Sequence, residues 1–351
     1  MRVFTYFVEP ASYTLDLIEN IHSNLHIDYA FIKFNSEAKS EKQLNNIVFL
    51  QKLNLLQKLK FIYKQWKKYD FIIINGYNNY VFICTYLLNM MSLKKRFIGI
   101  ESDTQLHIPK NIFKRFVKYI YLNIIFQDKW VLGLSGGNYT HKKLFSYYGM
   151  DEERLFFLPM MVDNSKYYNY PKIYPETFTF MFVGRLIPTK NVDILCEVFI
   201  KSFLDKDAKL IIVGSNDNKE SFIEKYMHKK IEFKGSVYGD DLIRLYRNSS
   251  VFVFPSTKEA WGLVLNEALA SSLPVIAHKE VGSVHDLICN KETGFIIDDW
   301  VELESRMLEL YNNQKLCNEM SINAHNIMKN YWNYSLYKSS LDKVFKYVSL
   351  D

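Results

Sequence analysis

Short apolar runs alternate with longer amphipathic stretches along most of this chain. Consecutive apolar residues are typical of strands covered on both faces of a sheet, and amphipathic stretches between them are typical of the helices of βα units. The pattern is cleanest in the second half. It predicts parallel strands at residues 3–8, 29–34, 71–75, 97–100 and 130–134 in the first half, and at residues 179–183, 209–213, 231–233, 251–254 and 274–277 in the second.

The length of the chain predicts a division into domains. Its 351 residues exceed what one hydrophobic core usually serves. Residues 167–175 are rich in Tyr and Pro and lack helical periodicity, which favours a linker there. We therefore predict an α/β protein with two doubly wound, Rossmann-like domains, residues 1–168 and 176–332, and a cleft between them.

Cysteine usage and hydropathy bear on the compartment. The four cysteines lie far apart without a CxxC motif or Cys/His cluster, so neither a disulfide framework nor a zinc site is predicted and a reducing cytoplasm is favoured. An opening apolar run that ends at Glu9 and Pro10 indicates a first strand rather than a signal peptide. The longest apolar run, residues 80–93, contains Thr85 and Asn89 and falls short of the ~20 residues of a membrane span, so no transmembrane helix is expected.

Positive charge is concentrated in the first half. Residues 1–170 contain 22 Lys and Arg against 14 Asp and Glu, whereas residues 171–351 contain 22 against 24. Two stretches have no acid: residues 51–69 with six lysines, and residues 104–127 with four cations among aromatic residues. Basic amphipathic helices suit an anionic membrane surface, and ordinary helices with solvated lysines explain them equally well. Nucleic acid is not predicted as a partner, because no recognition motif accompanies the charge.

The residues after the strand at 179–183 have the pattern of an anion site. Gly184 lets the backbone turn, and Arg185 and Lys190 follow before a helix that is predicted to start near Asn191. Cations beside a helix N-terminus, where the dipole already favours negative charge, are what a diphosphate requires. A plain strand–turn–helix with two surface cations is the alternative.

Two carboxylates follow the strand at residues 251–254. Glu259 is predicted in a loop, and Glu267 on the helix that follows it. Open α/β sheets bind ligands at the carboxyl edge of their strands. From that edge, both acids can address one ligand.

Six motifs follow one another in order between Phe180 and about Asp298. They are Gly184-Arg-Leu-x-x-x-Lys190-Asn, Ile212-Val-Gly214, Phe233-Lys-Gly-Ser236, Glu259-x7-Glu267 with Gly262 inside it, Leu273-Pro-Val-Ile276 and Thr293-Gly-Phe295. Together they resemble the donor domain of glycosyltransferase family 4, whose members are retaining, nucleotide-sugar-dependent enzymes with a GT-B fold. The closing residues 331–334 and the helix after them resemble the family segment that crosses back onto the first domain, so a C-terminal helix at about 333–351 is expected to join residues 1–168.

The resemblance implies a role for each matching residue. Arg185 and Lys190 would hold the donor diphosphate, Glu259 the sugar hydroxyls and Glu267 the ribose, which makes Glu259, Arg185 and Lys190 the catalytic candidates. Donor contacts, partly through backbone amides, are further implied for Gly184, Ser236, Val237, Ala260, Trp261, Gly262 and Leu263. No cofactor is expected, because the nucleotide-diphosphate sugar is a substrate, and a UDP-sugar is favoured over a GDP-sugar. No metal is predicted, since Asp205 and Asp207 are assigned to a solvated loop.

The first half departs from the family pattern. The loop after the first strand, residues 8–14, contains no glycine, although the family usually has a glycine-rich loop there. Glu101, Asp103 and Tyr13 are the candidates for the acceptor side. Helix capping before residues 108–110 is an equally good explanation of the two acids.

The sequence therefore predicts a metal-independent, retaining hexosyltransferase that moves a sugar from a nucleotide-diphosphate sugar to a glycan or lipid-linked acceptor in cell-surface polysaccharide biosynthesis. The predicted location is the cytoplasm, with peripheral attachment to the inner face of the plasma membrane through the basic first domain. A non-catalytic nucleotide-sugar-binding subunit with the same fold is the alternative. Intact Arg185, Lys190, Glu259 and Glu267 argue against it.

Overall fold

A computed structural model describes residues 1–34, 47–168, 172, 174–215 and 220–350. The chain divides into two compact units. The first consists of Met1–Met161 with Tyr334–Asp351, and the second of Val162–Asn333. Each unit is built on one six-stranded sheet in which every strand pair is parallel.

The sheet of the first unit has the strand order β2-β1-β3-β4-β5-β6. Its central strands are buried on both faces, as their continuous apolar sequences predict. Because β2 and β3 lie on opposite sides of β1, the chain reverses direction across the sheet at β1. The strands are β1 (Val3–Phe7), β2 (Asp28–Phe31), β3 (Phe71–Asn75), β4 (Phe97–Ser102), β5 (Val131–Ser135) and β6 (Leu155–Phe157).

Asparagine caps begin the three long helices that connect these strands. The side chains of Asn54, Asn79 and Asn111 each accept a hydrogen bond from the backbone three residues later, which satisfies an N–H group that the helix leaves unpaired. A π-helical turn, Ile18–His22, joins the first two helices. The helices that precede the second unit are α1 (Ser12–Leu17), α2 (Ser23–Leu25), α3 (Leu55–Lys68), α4 (Tyr80–Met91), α5 (Ile112–Gln127) and α6 (Lys142–Tyr147).

The last helix, α15 (Tyr334–Leu350), returns to the first unit. The ring of Phe345 lies edge-on to Phe71, with centroids 6.5 Å apart, and Tyr347 contacts Phe97 and Phe156 at 6.1 and 5.5 Å. Aromatic burial against β3, β4 and β6 therefore holds the helix. The predicted return of a C-terminal helix to the first domain is confirmed.

The second unit has the strand order β12-β11-β10-β7-β8-β9, so the direction of the chain across the sheet reverses between β10 and β7. The strands are β7 (Phe178–Val183), β8 (Ala208–Val213), β9 (Ile231–Phe233), β10 (Val251–Phe254), β11 (Val275–His278) and β12 (Gly294–Ile297). The helices are α7 (Asn164–Tyr167), α8 (Val192–Phe203), α9 (Glu220–Tyr226), α10 (Gly239–Arg247), α11 (Leu263–Ala270), α12 (Val284–Leu287), α13 (Trp300–Asn312) and α14 (Gln314–Asn330).

The second unit begins earlier than the predicted boundaries of 1–168 and 176–332. Buried Asn164 donates hydrogen bonds to the carbonyl oxygens of Met328 at 2.9 Å and Trp332 at 2.7 Å, which ties α7 to the end of α14. Within the predicted linker, Lys172 donates to the carbonyl of Arg247, whereas residues 169–171 and 173 lie outside the described part of the chain. Long-range contacts, which local composition does not reveal, set the boundary.

Two strands, β6 and β12, are additional to those predicted from the sequence. Both are short and lie at sheet edges, where one partner strand is enough to define them. Among the described residues, no helix has both the length and the apolar character needed to cross a membrane.

Candidate functional site

Three loops of the second unit are hydrogen-bonded to one another at the carboxyl edge of its sheet. The Thr257 amide donates to the Thr189 carbonyl at 3.0 Å, which joins the loops after β10 and β7. Gly282 donates in turn to the Glu259 carbonyl at 3.2 Å, and Ser283 to that of Trp261 at 3.1 Å, which adds the loop after β11. The three loops flank the reversal of strand order, where open α/β sheets bind ligands.

Asn191 holds the loop after β7 against the loop after β10. It caps α8 in the left-handed conformation, with φ 50° and ψ 40°, which Asn tolerates better than most residues. Its side-chain amide donates to the Pro255 carbonyl at 2.8 Å and to Thr257 Oγ1 at 3.2 Å. The Lys190-Asn191 pair of the sequence motif therefore combines a cation with the residue that holds its loop against the loop of Glu259.

Lys190 and Glu259 form an ion pair in this arrangement. The Lys190 side chain is only 9% exposed and its Nζ atom lies 4.9 Å from the centroid of the Phe254 ring, within cation–π range. Burial and the neighbouring charge of Arg185 lower the pKa of Lys190 to about 8, whereas the adjacent carboxylate favours the charged ammonium. Two residues with different predicted donor roles thus contact each other.

Arg185 is exposed beside this pair. Its loop is held to the end of β8, because Gly184 donates to the Val213 carbonyl at 2.9 Å and Leu186 to that of Ser215 at 3.1 Å. A Cβ atom at Gly214 would lie 1.8 Å from the Gly184 carbonyl oxygen. The glycine of the Ile212-Val-Gly214 motif is therefore required by the close approach of two backbones.

Gly262 begins α11 next to the ion pair. Its φ of +91° is left-handed, and a Cβ atom there would lie 3.2 Å from both Glu259 Cγ and Val281 Cγ1. Glycine alone meets both requirements without strain. The N-terminus of α11, at Leu263, consequently opens beside Glu259, where its amide groups favour an anion.

Trp261 has a structural side chain. Its indole is buried, donates from Nε1 to Asn266 Oδ1 at 2.8 Å, and stacks on Trp332 with centroids 5.8 Å apart. The preceding Ala260 is exposed. The backbone at these two positions fits the predicted donor contacts, whereas the Trp261 indole packs in the core of the second unit.

Glu267 lies on α11, and Tyr246 positions it. The Tyr246 hydroxyl donates to Glu267 Oε2 at 2.8 Å. Burial raises the pKa of Glu267 to about 7, although hydrogen bonds from Tyr246 and Tyr167 act in the opposite direction. Sequence reasoning found the acid and missed both tyrosines, because they lie far from it in the chain and belong to no motif.

Ser236 and Val237 follow β9, as predicted for a base-binding loop. Ser236 is exposed and Val237 half-buried. The preceding Gly235 accepts a hydrogen bond from the Gly214 amide at 2.8 Å. This loop is therefore fixed to the end of β8, the same strand end that supports Gly184.

Among the described residues, no group of three His, Cys, Asp or Glu side chains could hold a metal ion. The Asp205 side chain is 81% exposed and lies near Lys206. Asp205 and Asp207 precede β8 and so lie at the amino edge of the sheet, opposite Lys190. The Asp-x-Asp pair is therefore not part of this site.

In the first unit, Glu101 and Asn75 meet at the carboxyl edge of the sheet. Glu101 is buried at the end of β4 and accepts a hydrogen bond from Asn75 Nδ2 at 2.9 Å. Burial raises the pKa of Glu101 to about 7. The charge of Asp103 adds to this rise, whereas the hydrogen bond from Asn75 opposes it. The capping alternative is wrong for both acids, because α5 begins at Ile112 with Asn111 as its cap.

Tyr13 lies in α1 near these acids. Burial is the main cause of its raised pKa, and the charges of Asp103, Glu101 and Glu9 add to it. Tyr337 of α15 also faces Glu101, whose charge contributes to the raised pKa of that phenol. The structure thus brings the three predicted acceptor-side residues together and adds Asn75 and Tyr337, which no sequence motif marks.

Part of the chain is similar to a known protein family. Residues 165–327 match the family model described as glycosyl transferases group 1. All of the matched residues lie in the second unit, which is therefore similar to the group 1 glycosyltransferases. All the predicted donor-binding residues lie inside the group 1 region, and the resemblance to glycosyltransferases is confirmed at this level.

Two relatives illustrate the range of similarity. The capsular polysaccharide biosynthesis glycosyltransferase CapM of Staphylococcus aureus is 27% identical over 197 residues, 54% of this chain and 51% of CapM. An uncharacterized glycosyltransferase of Methanocaldococcus jannaschii is 27% identical over 333 residues, 90% of this chain and 89% of that protein. The match to CapM thus spans about half of the length of that relative.

The solved structure of HepE from Anabaena, in complex with UDP and glucose, resembles the whole chain. The TM-score is 0.74 with 15% identity, and the match covers 99% of both chains. At this identity the likeness establishes the fold, which is GT-B as predicted. The cleft between the units and the narrower assignment to family 4 stay predictions.

Proposed function

We propose that this glycosyltransferase is a retaining, metal-independent hexosyltransferase that moves a sugar from a nucleotide-diphosphate sugar to a glycan or lipid-linked acceptor. The observation that carries the proposal is the contact between Lys190 and Glu259 beside the N-terminus of α11. It puts a cation for phosphate, an acceptor for sugar hydroxyls and helix-end amides within reach of one ligand.

In the proposed complex the donor separates this pair. Lys190 and Arg185 bind the diphosphate, and Glu259 accepts hydrogen bonds from the sugar hydroxyls. The ribose hydroxyls bind Glu267, which Tyr246 orients from behind. Backbone of residues 260–263 lies against the sugar and phosphate, and residues 235–237 lie against the base.

The reaction proceeds on one face of the sugar. The acceptor oxygen bonds to the anomeric carbon as the bond from that carbon to the diphosphate oxygen breaks, and the leaving phosphate takes the acceptor's proton. Negative charge grows on the diphosphate in the transition state. Fixed cations and helix dipoles stabilise that charge more than they stabilise the ground state.

The biological setting belongs to the proposal as well. CapM is named for capsular polysaccharide biosynthesis, which supports a role in making a cell-surface polysaccharide. The solved complex of HepE contains UDP and glucose, which supports a UDP-sugar as the first donor to test. The four cysteines are free thiols in the structure, which fits a cytoplasmic location.

The test is a panel of UDP- and GDP-sugars, read as released UDP or GDP, with and without EDTA. We expect nucleotide release from one donor, and most of this activity should persist in the presence of EDTA. Donor binding without release by the wild type, with and without candidate acceptors, would instead identify a non-catalytic binding subunit. Loss of activity with EDTA, restored by manganese or magnesium, would overturn metal independence.

A further inference from the structure

Helix α4 exposes an apolar face. Its twelve residues include no charged side chain. One side of the helix packs into the core through Phe82 and Tyr86. The opposite side is exposed and is formed by Tyr80, Ile83, Leu87, Met90 and Met91, the last of which is 85% exposed.

Helix α5 repeats this arrangement. Leu122, Ile125 and Phe126 face the core, and a helix on a protein surface normally turns polar residues the other way. Here the outward side is apolar over three turns. It consists of Ile112, Phe113, Phe116, Val117, Ile120 and Ile124, with Ile112 80% and Phe113 73% exposed.

The exposed sides of the two helices are continuous. An open apolar pocket of about 180 Å³ lies between them and is lined by side chains of both, including Leu87 and Ile124. Helix α3 packs beside α4 and adds exposed Leu55, Leu56 and Leu59. We call these exposed sides of α3, α4 and α5 the three-helix face. Contiguous exposed apolar surface of this kind marks an interaction site rather than ordinary solvent-facing surface.

The charged residues within the helices of the three-helix face are all positive. Helix α3 carries Lys58, Lys60, Lys64, Lys67 and Lys68 without an acid. Helix α5 carries Lys114, Arg115 and Lys118, also without an acid. Long cationic side chains of this kind lie along apolar surface while their charged ends reach a polar layer.

This charge pattern selects the partner. A second copy docked through the same face would place cations against cations, because a two-fold contact is self-complementary. An anionic bilayer offers acyl chains for the apolar side chains and phosphate groups for the lysines at one surface.

We infer that the three-helix face binds the headgroup layer of an anionic membrane and inserts the exposed apolar side chains of α4 and α5 into it. The inference rests on the first unit alone and does not depend on the proposed glycosyl transfer. Attachment of this kind needs no spanning helix. It is reversible, since insertion is shallow and the lysine contribution is screened by salt.

The experiment is co-sedimentation of the full chain with vesicles of equal parts phosphatidylglycerol and phosphatidylcholine, and with vesicles of phosphatidylcholine alone, at low and high salt. We expect binding to the anionic vesicles at low salt and weaker binding at high salt. The apolar variant carries Leu87→Ser, Phe113→Ser and Phe116→Ser, all at exposed positions. Its partition should fall roughly tenfold or more.

Two controls separate insertion from other causes. Met227→Ser with Val301→Ser removes equally exposed apolar groups from the second unit, and this variant should bind as the wild type does. A variant with Lys60, Lys64, Lys67 and Lys68 as Gln should lose most of the salt-sensitive part of binding. Thermal unfolding by circular dichroism verifies that each variant is folded.

Two results would overturn the inference. One is wild-type protein that stays in the supernatant with anionic vesicles at low salt. The other is a concentration-dependent dimer in light scattering that the apolar variant abolishes while vesicle binding is unchanged, which would make the face a contact between copies. Either result leaves the donor-panel test of the proposed function unaffected.

Discussion

The carboxyl edges of the two sheets differ in charge although both sheets have six parallel strands. In the second unit, Lys190 and Arg185 stand beside the N-terminus of α11, with Glu259 as the partner of the lysine. In the first unit the corresponding edge is acidic, with Glu101 buried against Asn75 and Asp103 nearby. One edge suits a diphosphate, and the other suits hydroxyl groups.

This difference lies in the loops and strand ends, while the sheets themselves are alike. Strands need only continuous apolar residues to be buried on both faces. The residues that follow each strand do not have to be apolar, and they provide the charged and polar groups that bind ligands. Similar sheets can therefore hold partners of different charge, and variants at the two edges should have different effects.

The largest effect is expected from removing the cations of the second unit. Lys190→Ala and Arg185→Ala should each weaken transition-state stabilisation by roughly 2–4 kcal/mol, because an oriented charge partner of the leaving diphosphate is lost. Steady-state kinetics with the donor found in the panel measures this as a fall in kcat/KM. Lys315→Ala, at an 88% exposed side chain of α14, is the matched control. Unchanged turnover and donor affinity in both site variants would refute the diphosphate assignment.

The next effect separates the two acids of that edge. Glu259→Gln should lower turnover by roughly 10–100-fold because the donor sugar loses a hydroxyl partner. Free nucleotide should bind as tightly as before or more tightly, since Lys190 no longer has a competing carboxylate. Isothermal titration with UDP or GDP checks the second point, and weaker nucleotide binding by this variant would contradict it.

Glu267→Gln should instead weaken the binding of free nucleotide, because its predicted partner is the ribose. The same titration provides the measurement, and Glu319→Gln on α14 serves as an exposed control. Loss of turnover with unaltered nucleotide affinity would show that Glu267 acts elsewhere than on the ribose.

The smallest effect concerns the first unit and its pH dependence. Because burial raises the pKa of Glu101 to about 7, the folded state holds this proton more tightly than the unfolded chain does. The resulting stability is present below the ordinary pKa of a glutamate and is lost as the pH rises through about 7. Glu101→Gln should therefore stabilise the protein by about 1–3 kcal/mol near pH 8 and by much less near pH 5.

Chemical denaturation at both pH values measures this difference, with exposed Glu153→Gln as the control in the same unit. An equal effect of Glu101→Gln at both pH values would show that the carboxyl is not held neutral by burial. The acidic edge would then resemble an ordinary solvated one, and its contrast with the second unit would weaken.

Much of the site follows from local sequence. The turn at Gly184, the cations of its loop and the start of α8 at Val192 lie within one short segment, so spacing alone predicts their order. Glu259 and Glu267 are separated by one loop and the start of one helix. Motifs of this length can be recognised in the sequence because neighbouring residues set their geometry.

Contacts between distant segments could not be predicted in this way. Tyr246 reaches Glu267 through a contact between two helices, α10 and α11. Asn191 reaches Pro255 and Asn75 reaches Glu101 because parallel strands bring their carboxyl ends together. The same is true of the contact between Lys190 and Glu259, which the motifs list as separate donor ligands.

The sequence by itself determined the alternation of strands and helices, the candidate donor residues and the excess of positive charge in the first half. Periodic burial and short loop spacing are local properties, which a linear pattern records. The tertiary structure alone decided which acids are buried, which loops are joined, and that the apolar sides of α4 and α5 remain exposed. The physical reason is that exposure depends on what the rest of the chain covers, and in these helices apolar residues occur on both the covered and the uncovered side.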